Sequence, residues 1–309
     1  MTINNLCTTE LMHLPSVKIL LLKAALKKNR FYSQKNSEIT LPIDKFYCDN
    51  VVFNESSYKR YHQVVNWDNN SEFMHPCYLH SLAFPLHLKL LLLPDFIFPL
   101  IGLIHVKNRI KQTRPIKKTE KLRVLSSFGK IETHPKGWLF SIKSEFFSDD
   151  NLVWQGVSSN LFRANHERTV ATKDELSTDA FINSIGTIWQ LDSSLGRRYA
   201  EVSGDFNPIH LSKWLAKLFG FKQHIAHGMW TKSNCVSALQ KITPSLFEQA
   251  FEINTSFKRP VYLPSQVIMT TAHFGPESGA GNEQQFMVQG AGATTQQQPL
   301  HLIGNIGTI

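Results

Sequence analysis

The sequence predicts an α+β protein made of two similar units, each an antiparallel sheet wrapped around one long buried helix. Three observations carry this reading. The chain has 309 residues, more than a single core usually takes and enough for two units of about 150. Hydrophobic residues make up 42% and charged residues 18%, so both units can fill a core. One order of segments also occurs twice, as a lead-in, a main apolar helix and several strands, although the residues themselves do not repeat.

Residues 1–40 read as a lead-in. Val17 to Leu26 (VKILLLKAAL) predicts a short helix flanked by lysines, either docked on the first unit or lying on a membrane surface. The first unit spans 41–165. IDKFYCDNVVF reads as a strand, Phe73 to Leu93 as a buried helix, and Leu100 to Ile110 and Lys121 to Ser127 as strands. Trp138, Phe140, Ile142, Ser144 and Phe146 alternate with mostly polar neighbours, the pattern of a half-buried strand. Asp149-Asp150-Asn151 then signals a turn, and Leu152 to Arg163 the return strand of a hairpin. Leu82 to Val106 is long and apolar enough to raise a membrane span. It holds His87, Lys89, Asp95 and the prolines Pro85, Pro94 and Pro99, so a buried helix stopped at Pro94 and then a buried strand account for it better.

Residues 166–185 are polar and charged and read as the connection to a second unit, 186–309. Ser193 can cap a short helix whose apolar side is Leu195, Tyr199 and Val202, with Gly204 ending it. Ser212 can cap a second, carrying Trp214, Leu215, Leu218 and Phe219 and ended by Gly220. A third helix runs from about Gly228 to Ile242, with Met229, Val236, Leu239 and Ile242 on one face and Pro244 as its stop. Strands follow at Ile253 to Lys258, Val267 to His273, Gln285 to Gln289 and His301 to Ile306.

The net charge of +9 favours anionic partners. No run of five basic residues occurs, so nucleic acid is weakly supported, and a phosphorylated small ligand or an acidic carrier protein accounts for the charge equally well. Cys7, Cys48, Cys77 and Cys235 form no CxxC pair or disulfide framework, which favours a reducing compartment. The first residues lack the basic region and apolar core of a signal peptide. A cytoplasmic protein without stable membrane insertion is the expectation.

The chemistry concentrates between Tyr199 and Met229. Asp205 and His210 flank Phe206-Asn207-Pro208-Ile209, and Pro208 stiffens the loop by fixing its own φ and restricting Asn207. A carboxylate and an imidazole aimed at one point can hold a water and move its proton. His227-Gly228-Met229 falls where the third helix begins, where backbone N–H groups are unpaired and the dipole is positive. A thioester carbonyl placed against the Gly228 N–H would be stabilised as it becomes an enolate-like oxyanion. Together these are the means to add or remove water across a carbon–carbon bond next to a carbonyl. The plain alternative is a capped turn with a surface histidine.

SGDFNPIH followed by GFKQHIAHGM resembles the MaoC-like acyl dehydratases, the (R)-specific enoyl-CoA hydratases or hydratase 2 family. The resemblance is strongest over Asp192 to Leu263 and includes FKRPVYLP. It implies a double hot-dog fold and a hydro-lyase acting on (R)-3-hydroxyacyl and trans-2-enoyl thioesters of CoA or acyl carrier protein, without a cofactor. The family's catalytic Asp and His fall on Asp205 and His210, its oxyanion-hole glycine on Gly228, and Asn207 on a position that orients the loop or the water. HPCYLHSLAFPLHLKL and FPLIGLIHVKNRI resemble a degenerate first half more loosely. That half has no DxNPxH, and His75-Pro76 stands where His-Gly is expected.

Asn207, His227, Arg197 and Lys222 are the candidate substrate-binding residues, the two basic ones as a landing site for CoA phosphates or a carrier protein rather than plain solvated surface. His210, His224 and His227 lack an accompanying carboxylate or cysteine in ligand spacing, so no metal is expected. There is no GxSxG elbow, and the Gly-x-Gly in GAGNEQQFMVQGAGATT lacks a strand–helix context. A thioesterase or a non-catalytic acyl-thioester-binding protein is the alternative on the same scaffold. A homodimer stays open.

Overall fold

The computed structural model describes residues 8–27, 39–68, 70–100, 102–164, 178–181, 184–274, 283–292 and 298–309. The first half contains β1 (Thr8–Leu11), α1 (Val17–Leu26), β2 (Lys45–Cys48), α2 (Glu55–Val64), α3 (Tyr78–Leu91), β3 (Leu103–Gln112), β4 (Arg123–His134), β5 (Gly137–Ser148) and β6 (Asn151–Arg163). The second contains β7 (Gly186–Leu191), α4 (Leu195–Ser203), α5 (Lys213–Leu218), α6 (Gly228–Ile242), β8 (Phe251–Phe257), β9 (Ser265–Phe274), β10 (Glu283–Gly290) and β11 (Leu300–Thr308).

The strands form one sheet in the order β1-β2-β4-β5-β6-β3-β8-β11-β10-β9-β7. Apart from the parallel β1–β2 pair, neighbours run antiparallel. The order is a mirrored repeat. From one edge inward β2-β4-β5-β6-β3 matches β7-β9-β10-β11-β8 from the other, and the innermost strands β3 and β8 pair with Ile110 opposite Ile253. This is the double hot-dog arrangement, with α3 and α6 as the two buried helices.

Lys232, fully buried on α6, reaches this seam. Its Nζ donates to the Asn108 carbonyl at 3.0 Å and Asn108 Oδ1 at 2.6 Å on β3, and to Ile253 O at 3.4 Å on β8. Burial lowers its pKa to about 8. A buried ammonium is tolerated only with such partners.

Local chemistry explains most element ends. Asp149 and Asp150 both take positive φ (45° and 63°) in the hairpin turn, which short Asp side chains tolerate. Ser212 Oγ accepts from Leu215 N at 3.2 Å and caps α5. α6 occupies the predicted residues, but Ile242 is exposed, so the buried face formed by Met229, Val236 and Leu239 stops short of it. α3 ends at Leu91, before the predicted stop at Pro94. Lys27 Nζ donates to the carbonyls of Leu91, Leu93 and Phe96 just beyond this end, where a cation complements the helix dipole.

The N-cap of α4 is Ser194 rather than Ser193, and Asp192 Oδ1 accepts from both its N–H and its hydroxyl. The strands β1 and β7 and the helix α2 were not legible in the pattern. α2 is polar, and its buried side consists of Tyr58, Tyr61 and His62 rather than aliphatic residues. The connection 166–185 lies largely outside the described residues. Within it, Phe181 is buried against Ala272, Met287 and Ile303. Among the described residues, no helix is long and apolar enough to cross a membrane.

Candidate active site

α4 ends at Gly204, whose φ of 79° turns the chain sharply out of the helix. The loop then braces itself. Asp205 Oδ1 accepts from Asn207 N at 3.2 Å, and Asn207 Oδ1 from Ile209 N at 3.4 Å. Pro208 opens a 3-10 turn that ends at His210. The turn lies tight against α4: a Cβ added at Gly196 would fall 2.0 Å from the His210 carbonyl oxygen.

His210 is buried, and its Nδ1–H donates to Ile225 O at 2.8 Å. That bond leaves Nε2 as the free lone pair. Burial, and then the neighbouring His227, push its pKa down to about 3, while Asp205 opposes the shift. The ring is therefore a neutral acceptor at physiological pH.

His227 stacks on it at 3.7 Å between ring centroids and 25° between planes. Its Nε2–H donates to the Asp205 backbone carbonyl at 2.8 Å. The Asp205 carboxylate is 3.9 Å away, but burial lowers the His227 pKa to about 4, so the contact is that of a neutral ring and not an ion pair. The Tyr199 ring lies 4.9 Å from His227 and closes the back of the site.

Asp205, His210 and His227 thus converge, each with a potential ligand atom within 4.8 Å of the others. One nitrogen of each ring is already committed to a carbonyl. The sequence groups His224 with the two histidines and sees no accompanying carboxylate; instead Asp205 joins His210 and His227, while His224 Nε2 hydrogen-bonds to Ser193 O at 2.9 Å.

Gly228 opens α6, so its amide has no intrahelical partner. A Cβ there would meet the Phe257 ring at 3.0 Å. Close packing of the Phe257 ring on the helix start therefore favours glycine independently of any ligand.

The remaining candidates distribute differently. Arg197 Nη1 donates to Leu211 O at 3.0 Å, bracing the chain after the turn. Lys222 is exposed on the segment leading to His227. His227 clamps the loop from beneath rather than facing outward. Sequence reasoning missed the roles of Gly196 and Tyr199. The first reads as an ordinary helix glycine, and the second as one residue of an apolar helix face.

The equivalent place in the first half is closed. His75 Nδ1 accepts from Cys77 N at 2.9 Å, and its Nε2–H donates to Ser233 O at 3.1 Å. Trp154 Nε1 donates to Pro76 O at 2.9 Å. Side chains therefore occupy the start of α3, whereas the start of α6 keeps a glycine.

Fold and site together define a double hot-dog protein in which the Asp205–His210 loop is tied to the start of α6 through the His210–His227 stack. The second half carries a MaoC-like domain: residues 162–297 match the family described as MaoC like domain. It is 30% identical over 188 residues to the 3-hydroxyacyl-thioester dehydratase X of Mycobacterium tuberculosis, covering 61% of this chain and 66% of that protein. It is 32% identical over 74 residues to a mitochondrial 3-hydroxyacyl-[acyl-carrier-protein] dehydratase of Arabidopsis thaliana, covering 23% of this chain and 42% of that one.

The crystal structure of HtdX from M. tuberculosis superposes with a TM-score of 0.71 at 23% identity, over 86% of this chain and all of that one (100%). A conserved M. tuberculosis protein described as having a double hot-dog fold gives a TM-score of 0.53 at 10% identity, over 89% and 98% of the two chains. These likenesses establish the fold.

Proposed function

We propose that the chain is a hydro-lyase interconverting (R)-3-hydroxyacyl and trans-2-enoyl thioesters of CoA or acyl carrier protein. Asp205 and His210 handle the water, and the Gly228 N–H holds the thioester oxygen. The 186–309 unit is catalytic, and the degenerate 41–165 unit shelters the acyl chain. The observation that carries this reading is the tautomer of His210. Its Nδ1–H is spent on Ile225 O, so Nε2 keeps a free lone pair on a ring that has a nitrogen within 4.8 Å of an Asp205 carboxylate oxygen. The names of the two curated relatives support the same class.

In the hydration direction a water is held between the Asp205 carboxylate and His210 Nε2. It gives a proton to Nε2 as its oxygen adds to C3 of the enoyl group. The Asp205 charge offsets the imidazolium, and the enolate oxygen rests on the Gly228 N–H. The proton then passes to C2, so that one water has been added. Dehydration reverses these steps. His227 and Asn207 keep the carboxylate aimed. Arg197 and Lys222 flank the loop as contacts for the anionic part of the thioester.

Crotonyl-CoA hydration, followed by loss of enoyl absorbance, tests the assignment. Asp205→Asn and His210→Ala should each lower kcat by at least about 10²-fold. Near-normal turnover in either variant would sink it. Release of free CoA thiol would instead support a thioesterase, and saturable acyl-CoA binding without any absorbance change a non-catalytic binding protein.

A further inference from the structure

Two short helices flank the catalytic loop and present the same kind of face to solvent. On α5, which packs on the Pro208–His210 turn, every residue but Ala216 faces outward. Trp214 is 77% exposed and Leu218 79%, with Leu215 beside them at 38%. Lys213 and Lys217 stand among them, and Lys217 Nζ lies 5.4 Å from the Trp214 ring centroid.

On α1 the exposed residues Lys18, Ile19, Leu22 and Lys23 form one stripe, with Ile19 58% and Leu22 63% exposed. This helix adjoins the other end of the same loop, since a side chain added at Gly204 would meet Val17 at 3.2 Å. Neither apolar group contributes to the core, and the proposed chemistry uses neither.

Exposed tryptophan and leucine between lysines are unusual on a surface that meets only water. The pattern suits an interface where apolar side chains enter a hydrocarbon layer while ammonium groups stay among anionic headgroups. The net charge of +9 acts in the same direction.

We propose that the α1 and α5 faces form a peripheral docking surface for an anionic lipid bilayer, which holds the mouth of the catalytic loop against the membrane. Each face is one or two helical turns long, so attachment is reversible and salt-dependent, with no span of the bilayer. Two separate apolar prongs ringed by lysines favour a bilayer over a protein groove, which would have to match both prongs at fixed spacing.

The test is co-sedimentation of the full chain with vesicles of phosphatidylcholine alone and of phosphatidylcholine with one quarter phosphatidylglycerol. The wild type should partition onto the anionic vesicles at low salt, with a blue shift in tryptophan emission, and should release at high salt. The double variant W214S/L218S should bind at least about tenfold more weakly and lose the shift. It should keep its circular dichroism and its turnover of short soluble enoyl-CoA.

Several results would overturn the proposal. One is failure of the wild type to bind anionic vesicles at low salt. Another is equal vesicle binding by the variant, which would mean charge alone. A third is wild-type binding to an acidic carrier protein, but not to vesicles, that W214S/L218S abolishes. Concentration-dependent self-association that the variant abolishes would likewise assign the face to a second copy.

Discussion

Acidification from pH 7.5 to 5.5 should unfold this protein, because its interior holds histidines that cannot take a proton there. Burial keeps His75, His87 and His210 at about 3 and His105 and His227 at about 4, and it drives His80 well below its ordinary value. In the unfolded chain each titrates near 6.5. With folded values depressed, the unfolded state binds more protons below pH 6.5, so stability is complete above that pH and falls as the pH drops.

One pH unit below 6.5, each such histidine favours unfolding by about 1.4 kcal/mol. The figure depends on the unfolded titration alone, provided the native values stay below about 5. Six groups together give about 8 kcal/mol at pH 5.5, comparable to the whole stability of a domain. Nearby charge adds to the effect at His80 and His105, where Lys232 disfavours a proton, and opposes it at His210, where Asp205 does not overcome burial.

Urea unfolding followed by tryptophan emission at pH 7.5, 6.5, 6.0 and 5.5 measures this directly. The midpoint should fall steeply below pH 6.5, and the slope should report several protons taken up on unfolding. His87→Gln, which can still hydrogen-bond the Ser144 hydroxyl that His87 Nε2 meets at 2.8 Å, should flatten the slope by about one proton. A loss of less than about 2 kcal/mol between pH 7.5 and 5.5 would refute the reasoning, since it would mean that most of these rings are protonated inside the fold.

Other outcomes follow from single contacts. Gly228→Ala places a methyl group 3.0 Å from the Phe257 ring and tilts the helix start, so kcat should drop at least about tenfold with little change in melting temperature. Lys232→Met removes the donor shared by Asn108 and Ile253 at the seam, leaving acceptors unpaired at a cost of about 1–3 kcal/mol, measurable by urea unfolding. Ser212→Ala deletes the α5 cap and should cost that helix about 1 kcal/mol, seen as faster amide exchange at Leu215.

Much of the second half could be read from the residues because the signals there are local. Gly204, Pro208, Ser212 and Gly220 punctuate short elements, and α6 follows from its apolar spacing between Gly228 and Pro244. The Asp205–Asn207–Pro208–His210 loop was legible for the same reason. What escaped depended on distant partners. Gly196 is dictated by the His210 carbonyl across a helix–turn contact, and the inward clamp of His227 needs the Asp205 backbone. α2 hides because its buried side is Tyr58, Tyr61 and His62, which polarity patterns place outside. β7 is largely exposed, so its six residues carry no apolar alternation.

The β3–β8 pair has a consequence for how the protein can vary. In an assembly of two identical chains, every substitution would appear on both sides of that pair, and a residue ruinous at one site would be ruinous at both. Here one continuous chain supplies both sides. Trp154 can bond to Pro76 at the start of α3 while the start of α6 keeps Gly228. The two sides are thus released from equality: one can drift while the other stays as it is. The cost is mutual dependence, because neither side alone has a finished sheet edge.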